Sequence, residues 1–321
     1  MLNGLRNLGN TCYFNVIIQS LSNIDIFVNY MKHNIENDLI DNCKEHEFVI
    51  NLRNMIIAMN SVDRKVITPH KLFTEFNKVS DMRNMVGYSN QEDSEEILLQ
   101  ILNLLHESIK YNVQISYKGV VKNVRDQLMV ESLKHWDSYC GKNYSQIITL
   151  FYGQFLSQTK CTVCNNINNN FEPFLPVNIQ LNENCKTLKD AFKLFIDSEK
   201  IEGYKCDKCN RIDTSKKHLV LWKSPKILII VLKRFITGVK LQQHIDFPME
   251  MNIADYVKGY DNDDSKYVIN SVIEHIGHTD FGHYVCYCRK STGYYKFNDE
   301  TIEKVSDLKS AQAYILIYTK V

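Results

Sequence analysis

Apolar residues recur at helical spacing through the first third of the chain and at strand-like spacing through most of the remainder. Phe14, Ile17, Ile18 and Leu21 lay an apolar stripe along residues 12–22. Residues 45–59 and 69–78 also read as helices. Between Glu92 and Ile109, Ile97, Leu98, Ile101, Leu102, Leu104 and Leu105 make one wide apolar face, the clearest helical signal in the chain. The second half changes character. Short runs of β-branched and aromatic residues at 147–159, 171–181, 218–222, 227–234, 267–274, 283–289, 294–298 and 313–319 predict strands, interrupted by one helix at 187–197. Helices first and mostly antiparallel strands afterwards predict an α+β fold. Asn166 to Asn170 and Asp261 to Ser265 are polar loop signals. With no internal repeat and no low-complexity linker, residues 1–321 read as one unit with subdomains.

Composition narrows the possibilities. A chain of 321 residues that is 44% hydrophobic can bury a substantial core. Its net charge of +1 leaves no basic surplus for neutralising phosphates, which argues against a nucleic-acid partner. No apolar run approaches the ~20 residues needed to span a bilayer. The opening MLNGLRNLGN lacks the apolar core of a secretion signal. The expectation is a monomer in the cytoplasm or nucleus, without membrane contact.

The ten cysteines suggest chemistry rather than disulfides. Cys161/Cys164 and Cys206/Cys209 form two CxxC pairs, which together make a four-thiolate zinc signature. One structural Zn2+ per chain is expected there. Cys43, Cys140, Cys185, Cys286 and Cys288 read as small buried apolar residues. Cys12 stands apart, because Asn7-Leu8-Gly9-Asn10-Thr11 leads it straight into the first helix. A thiol at a helix N-terminus meets the partial positive charge of unpaired N–H groups, which favours the reactive thiolate. The same N–H groups could bind an oxyanion. Local physics leaves open the plainer alternative of a helix that begins with a buried cysteine.

A thiol nucleophile needs a histidine and a group to orient it, usually distant in sequence. Three of the ten histidines cluster in His275-Ile-Gly-His278-Thr-Asp-Phe-Gly-His283-Tyr, with a predicted strand beginning at His283. Taken singly, a histidine is more often structural than catalytic. Asp93 and Glu96 lie three residues apart at a helix start, so their carboxylates point to one side. They could dock a basic segment or simply complement the helix dipole.

These segments together resemble the ubiquitin-specific proteases. GLRNLGNTCYFNVIIQSL is similar to that family's cysteine box, matched by Gly4, Leu5, Asn7, Leu8, Gly9, Asn10, Thr11, Cys12, Tyr13, Asn15 and Gln19. The histidine run resembles its histidine box, and Tyr294-Tyr295-Lys296-Phe297-Asn298-Asp299 its third-member segment. Gln91 to Leu98 is similar to a further box, with Ser94 in place of alanine and Ile97 in place of phenylalanine. The resemblance covers practically the whole chain, from Gly4 to Tyr318.

It implies a papain-like fold with thumb (about 1–140), fingers (about 145–225) and palm (the remainder) subdomains, zinc sitting at the fingertip cysteines. It implies Cys12 as nucleophile, Asn7 as oxyanion donor, His283 as general base and acid, and Asn298 as its orienter, with Asp299 in support. Asp93 and Glu96 would receive the arginines of ubiquitin's Leu-Arg-Leu-Arg-Gly-Gly tail. His275, Tyr284 and the loop 275–282 would line a channel only a glycine pair can pass. The implied activity is hydrolysis of the isopeptide bond after ubiquitin's last glycine, with ubiquitinated proteins or polyubiquitin chains as partners. A protease for another ubiquitin-like modifier and a non-catalytic ubiquitin-binding scaffold are the alternatives.

Overall fold

The computed structural model describes residues 2–321 except 62–64, 81–90, 237, 261–264 and 279–280. The polar loop signal at 261–264 and residues Thr279 and Asp280 of the histidine run therefore lie outside the described residues.

In chain order the helices are α1 (Cys12–Leu21), α2 (Asp25–His33), α3 (Ile35–Asp38), α4 (His46–Met59), α5 (His70–Val79), α6 (Ser94–Ile109), α7 (Val124–Cys140), α8 (Gln146–Phe151) and α9 (Leu188–Ile196). The strands are β1 (Gly4–Leu5), β2 (Val66–Ile67), β3 (Gly153–Cys161), β4 (Ile167–Phe174), β5 (Pro176–Gln180), β6 (Glu199–Ile201), β7 (Ser215–Lys223) and β8 (Ile227–Lys233). They continue with β9 (Phe235–Ile236), β10 (Val239–Lys240), β11 (Glu250–Asn252), β12 (Lys266–Gly277), β13 (Gly282–Lys290), β14 (Gly293–Asn298), β15 (Thr301–Val305) and β16 (Ala313–Lys320).

An eight-stranded sheet runs β15-β14-β13-β12-β16-β8-β5, with β11 paired to β12. Its ladders are antiparallel except for β5 on β8. Both faces of its centre are covered. Along β8, Ile227, Ile229 and Val231 enter the core beneath the helices, while Leu228, Ile230 and Leu232 enter a second core beneath α9. That double burial explains why this segment reads as a continuous apolar run. Every residue of α1 is buried, and it packs against β13. Phe14 fixes it from the helical side, its ring 5.2 Å from Phe73 and 5.4 Å from Phe76.

A separate four-stranded sheet, β4-β3-β7-β6, carries the CxxC turns at one end. The chain leaves it at Leu175, because the run 171–181 belongs half to β4 and half to β5 of the large sheet. So β5 and α9, inside the stretch expected to form fingers, belong with the large sheet.

Other differences from the sequence reading have local causes. Residues 147–151, read as strand, are the short helix α8, where the Ser145 hydroxyl accepts from Ile148 N–H at 3.3 Å. A cap and tertiary burial override the β-branched composition. Helix α7 has no apolar stripe to detect, since Ser132, Trp136 and Cys140 are its buried residues. Strand β15 lies at the sheet edge with Thr301, Glu303 and Lys304 exposed, so it too lacks the expected signal.

Ile229→Ala should lower unfolding free energy by about 2–5 kcal/mol, since it removes a fully buried side chain from a strand that cannot collapse on either face. Urea unfolding checks this; a loss under about 1 kcal/mol would mean the centre of the sheet is loosely packed.

Candidate active site

Cys12 is the first residue of α1 and is 2% exposed. The turn before it is built around one side chain. The Asn7 amide oxygen accepts from Gly9 N–H (3.1 Å), Thr11 N–H (3.1 Å) and the Thr11 hydroxyl (3.3 Å). Gly9 has φ +142°, a conformation that side-chain-bearing residues rarely adopt. The Asn7 NH2 group donates to Asp299 Oδ2 at 2.8 Å, and Asn15, one turn into α1, donates to Asp299 Oδ1 at 2.7 Å. Asp299 itself has φ +49°, and its carbonyl accepts from Leu5 N–H at 2.9 Å. One carboxylate therefore binds the cysteine turn to the end of β14.

His283 is the second residue of β13. Its Nε2 lies 2.7 Å from Asn298 Oδ1, the last residue of β14. An amide oxygen can only accept, so Nε2 carries a proton and Nδ1 is left to face Cys12. Hydrogen bonding to Cys12 is the largest cause pushing the imidazole up to about 9; burial opposes it, and Asn298 and the Cys12 and Asp299 charges support it. The histidine is thus held as an imidazolium beside the thiol. Cys12, His283, Asn298, Asn7 and Asp299 all meet here. Asp299 supports His283 through its charge, while its oxygens bind Asn7 and Asn15.

The acidic pair is divided by its surroundings. Asp93 caps α6, accepting from Glu95 N–H at 2.8 Å and from the Tyr314 hydroxyl at 2.7 Å. Burial raises its carboxyl, with the Tyr314 and backbone hydrogen bonds opposing. Glu96 faces solvent. Burial also raises the Glu92 carboxyl, followed by repulsion from Glu96 and Asp93, so three carboxylates share one field. Glu95, buried alongside, is instead tied to Lys233 at 2.9 Å.

His275 and Tyr284, the expected channel-lining pair, are buried side by side. They are cross-strand partners on β12 and β13, 5% and 6% exposed, with ring centroids 4.6 Å apart. The strand register turns both rings inward, Tyr284 into the core that also holds Cys12. Burial, followed by the Lys240 and His283 charges, holds the His275 imidazole down at about 4, so it stays neutral. A Cβ on Gly282 would lie 2.2 Å from His275 Nε2, so the backbone beside His283 rests directly on that ring.

Sequence reading gave Gln91 no role. Its amide nitrogen donates to Gly282 O and its amide oxygen accepts from Gly282 N–H, both at 2.7 Å. The side chain thereby pairs like a strand with the residue preceding His283. A glutamine at the head of an acidic box was the available signal, but nothing in it names a partner 191 residues away.

The four CxxC thiols converge at the far end of the four-stranded sheet. All four sulfurs lie within 4.8 Å of one another, with Cys161–Cys209 at 3.7 Å and Cys164–Cys206 at 3.6 Å. Tetrahedral bonds of about 2.3 Å require sulfurs about 3.8 Å apart, so the set can hold a metal ion. The two turns are built alike: Asn165 N–H donates to Cys161 O (3.0 Å) and Asn210 N–H to Cys206 O (2.8 Å), with Asn165 and Asn210 both left-handed. The Cys164 backbone N–H, the Thr214 hydroxyl and the Val163 N–H pull the Cys161 thiol down to about 6.

Comparison with known proteins agrees with this arrangement. The sequence profile of the ubiquitin carboxyl-terminal hydrolase family matches residues 3–318. The chain is 31% identical over 335 residues to ubiquitin carboxyl-terminal hydrolase Usp2 of Drosophila melanogaster, covering 99% of this chain and 34% of that protein. It is 30% identical over 337 residues to ubiquitin carboxyl-terminal hydrolase 2 of Homo sapiens, covering 99% and 55%. It thus spans about a third to about half the length of these relatives. Among solved structures, one of the SAGA Ubp8/Sgf11/Sus1/Sgf73 DUB module bound to ubiquitin aldehyde superposes with a TM-score of 0.77 at 26% identity, covering 100% of this chain and 70% of that one. With its profile matched nearly end to end, the chain belongs to the ubiquitin carboxyl-terminal hydrolase family.

Proposed function

We propose that the protein is a cysteine-type deubiquitinase, and the carrying observation is a buried cysteine at a helix N-terminus paired with an imidazolium held by Asn298. The Cys12 thiolate attacks the carbonyl of ubiquitin's terminal glycine. The resulting oxyanion meets the first N–H groups of α1 and the second N–H of the Asn7 amide, whose other N–H is held by Asp299. His283 gives its proton to the departing lysine amine, then takes one from the water that hydrolyses the thioester. Asn298 keeps the ring in its plane, and Asp299 positions Asn7. The tail arginines face the carboxylates of Glu92, Asp93 and Glu96, whose mutual repulsion a cation relieves. Support for the substrate comes from solved relatives bound to ubiquitin aldehyde and to monoubiquitin.

The helical part up to about residue 140 corresponds in this reading to a thumb, the four-stranded sheet to fingers and the large sheet to a palm. A monomer acting on conjugates or chains in the cytoplasm or nucleus is the accompanying proposal. Zinc is the metal proposed for Cys161, Cys164, Cys206 and Cys209, where a closed four-thiolate set would supply folding energy to the fingertip.

Cys12→Ala should abolish hydrolysis of a ubiquitin–fluorophore amide while leaving ubiquitin binding intact. Residual turnover above a few per cent would misplace the nucleophile, and equal or faster turnover of a ubiquitin-like substrate would redirect the specificity.

The pairing of Cys12 with His283 also has a pH signature. A folded pKa of about 9, above the ordinary value of 6.5, means the pair's contribution to stability is fully present below pH 6.5 and is lost as pH rises through about 9. Cys12→Ala removes the largest cause, so the His283 imidazole, followed by NMR, should titrate at lower pH. An unmoved titration would show that the two groups do not interact.

Purified protein should contain about one zinc per chain. Cys206→Ser should lower the melting temperature and weaken ubiquitin binding, yet leave the rate of Cys12 alkylation by iodoacetamide near normal. Zinc-free protein, or a Cys206→Ser variant that melts and binds normally, would remove the assignment.

A further inference from the structure

Strand β12 outlasts its neighbour. Its ladder with β16 ends at Glu274↔Ala313, while on the other side it stays paired to β13 through His275↔Tyr284, Ile276↔His283 and Gly277↔Gly282. Beyond Glu274↔Ala313 the outer edge keeps one long backbone bond, His275 N–H to Gln312 O at 3.4 Å, and among the described residues the strand that carries His283 leans on an edge with no further ladder. The carbonyls of His275 and Gly277 still need donors there.

The Lys240 side chain supplies them. Its ammonium donates to His275 O at 2.5 Å, to Gly277 O at 3.1 Å and to Gln312 Oε1 at 3.0 Å. Gln242 adds a donor to Gly277 O at 3.3 Å. Lys240 is 7% exposed, and all three of its acceptors are neutral. A buried ammonium without a carboxylate ligand is costly, and an uncharged edge would be the cheaper solution for stability alone. Three N–H donors radiating from one point nevertheless match the three acceptors, which no neutral side chain can do. The charged groups around it are Arg234, between β8 and β9, and Glu274 on β12, with neutral His275 beside them. Burial, followed by the Arg234 charge, brings the amine down to about 8, with Glu274 opposing.

We propose that Lys240 is a positioning residue for the reaction, its ammonium replacing the strand missing beside the end of β12 and so setting the place of His283 against Cys12. The inference rests on His283 being the general base. A base displaced by about 1 Å can lose on the order of 100-fold in rate, so such a prop acts on turnover rather than on substrate affinity.

The test is steady-state turnover of a ubiquitin–fluorophore amide against pH, for the wild-type protein, Lys240→Met and Lys240→Arg. Burial lowers the Lys240 amine from its ordinary value, so in the wild type the third donor is lost at alkaline pH and kcat should fall there. Lys240→Met should lower kcat at pH 7 by about tenfold or more with KM changed less than about threefold. Lys240→Arg stays charged at every pH used, so it should retain more turnover than Lys240→Met and move the alkaline fall to higher pH than in the wild type. A Met variant that folds and turns over within about twofold of wild type would overturn the proposal. So would an Arg variant whose alkaline fall stays where the wild type's lies, and this decides the matter even if Lys240→Met does not fold. A wild-type protein with no turnover at all would instead defeat the reading of the active site.

Discussion

The Asp299 carboxylate ties together two pieces of chain from opposite ends of the sequence. Asn7 and Asn15 bracket Cys12 at the start of the sequence, and Asp299 follows the histidine's partner near its end. Each oxygen takes one amide donor, at 2.8 and 2.7 Å, so the cysteine turn and the end of β14 share one rigid joint. Because Asn298 is the adjacent residue, the joint also sets how far the imidazole stands from the thiol. The chemistry depends on that separation more than on any property of Cys12 alone.

The joint is precise because both of its sides are immobile. Helix α1 is enclosed on every face, so its N-terminus cannot tilt without opening the core. The sheet on the other side is apolar on both faces where β8 and β16 run, with Ile315 and Ile317 in one core and Leu316 and Tyr318 in the other. Catalytic atoms thus stand at the ends of elements fixed by packing, while polar contacts decide the last ångström.

Several of those polar contacts recruit buried basic groups to backbone carbonyls. Arg234, fully buried, donates to Ala313 O (2.6 Å), Leu241 O (2.9 Å) and Gln243 O (2.7 Å), while Lys240 takes His275 O and Gly277 O. The large sheet changes neighbours here, and irregular strand ends leave carbonyls that must be satisfied. After burial, the Lys240 charge also helps keep His275 neutral under Gly282, so a supporting element and an electrostatic one coincide.

The sequence by itself determined the class of fold, the strongly periodic helices α1, α4, α5, α6 and α9, and the residues that could act. Asn7, Cys12, His283 and Asn298 were legible through the family resemblance, since local physics left Cys12 and His283 a structural alternative and gave the two asparagines no role, whereas the two CxxC turns were legible because their spacing is a ligand geometry in itself. Elements without an apolar rhythm, such as α7 and β15, were silent, since burial of one face is the signal that periodicity carries. Tertiary structure alone decided what each polar group touches. Asp299 binds Asn7 and Asn15 and reaches the imidazole through its charge, Asp93 caps a helix and accepts from Tyr314, and His275 and Tyr284 are buried side by side. Gln91 and Lys240 find backbone partners that no local pattern could name. The reason is range: a hydrophobic period is written in neighbouring residues, whereas a hydrogen bond is settled by whichever group the folded chain brings within about 3 Å.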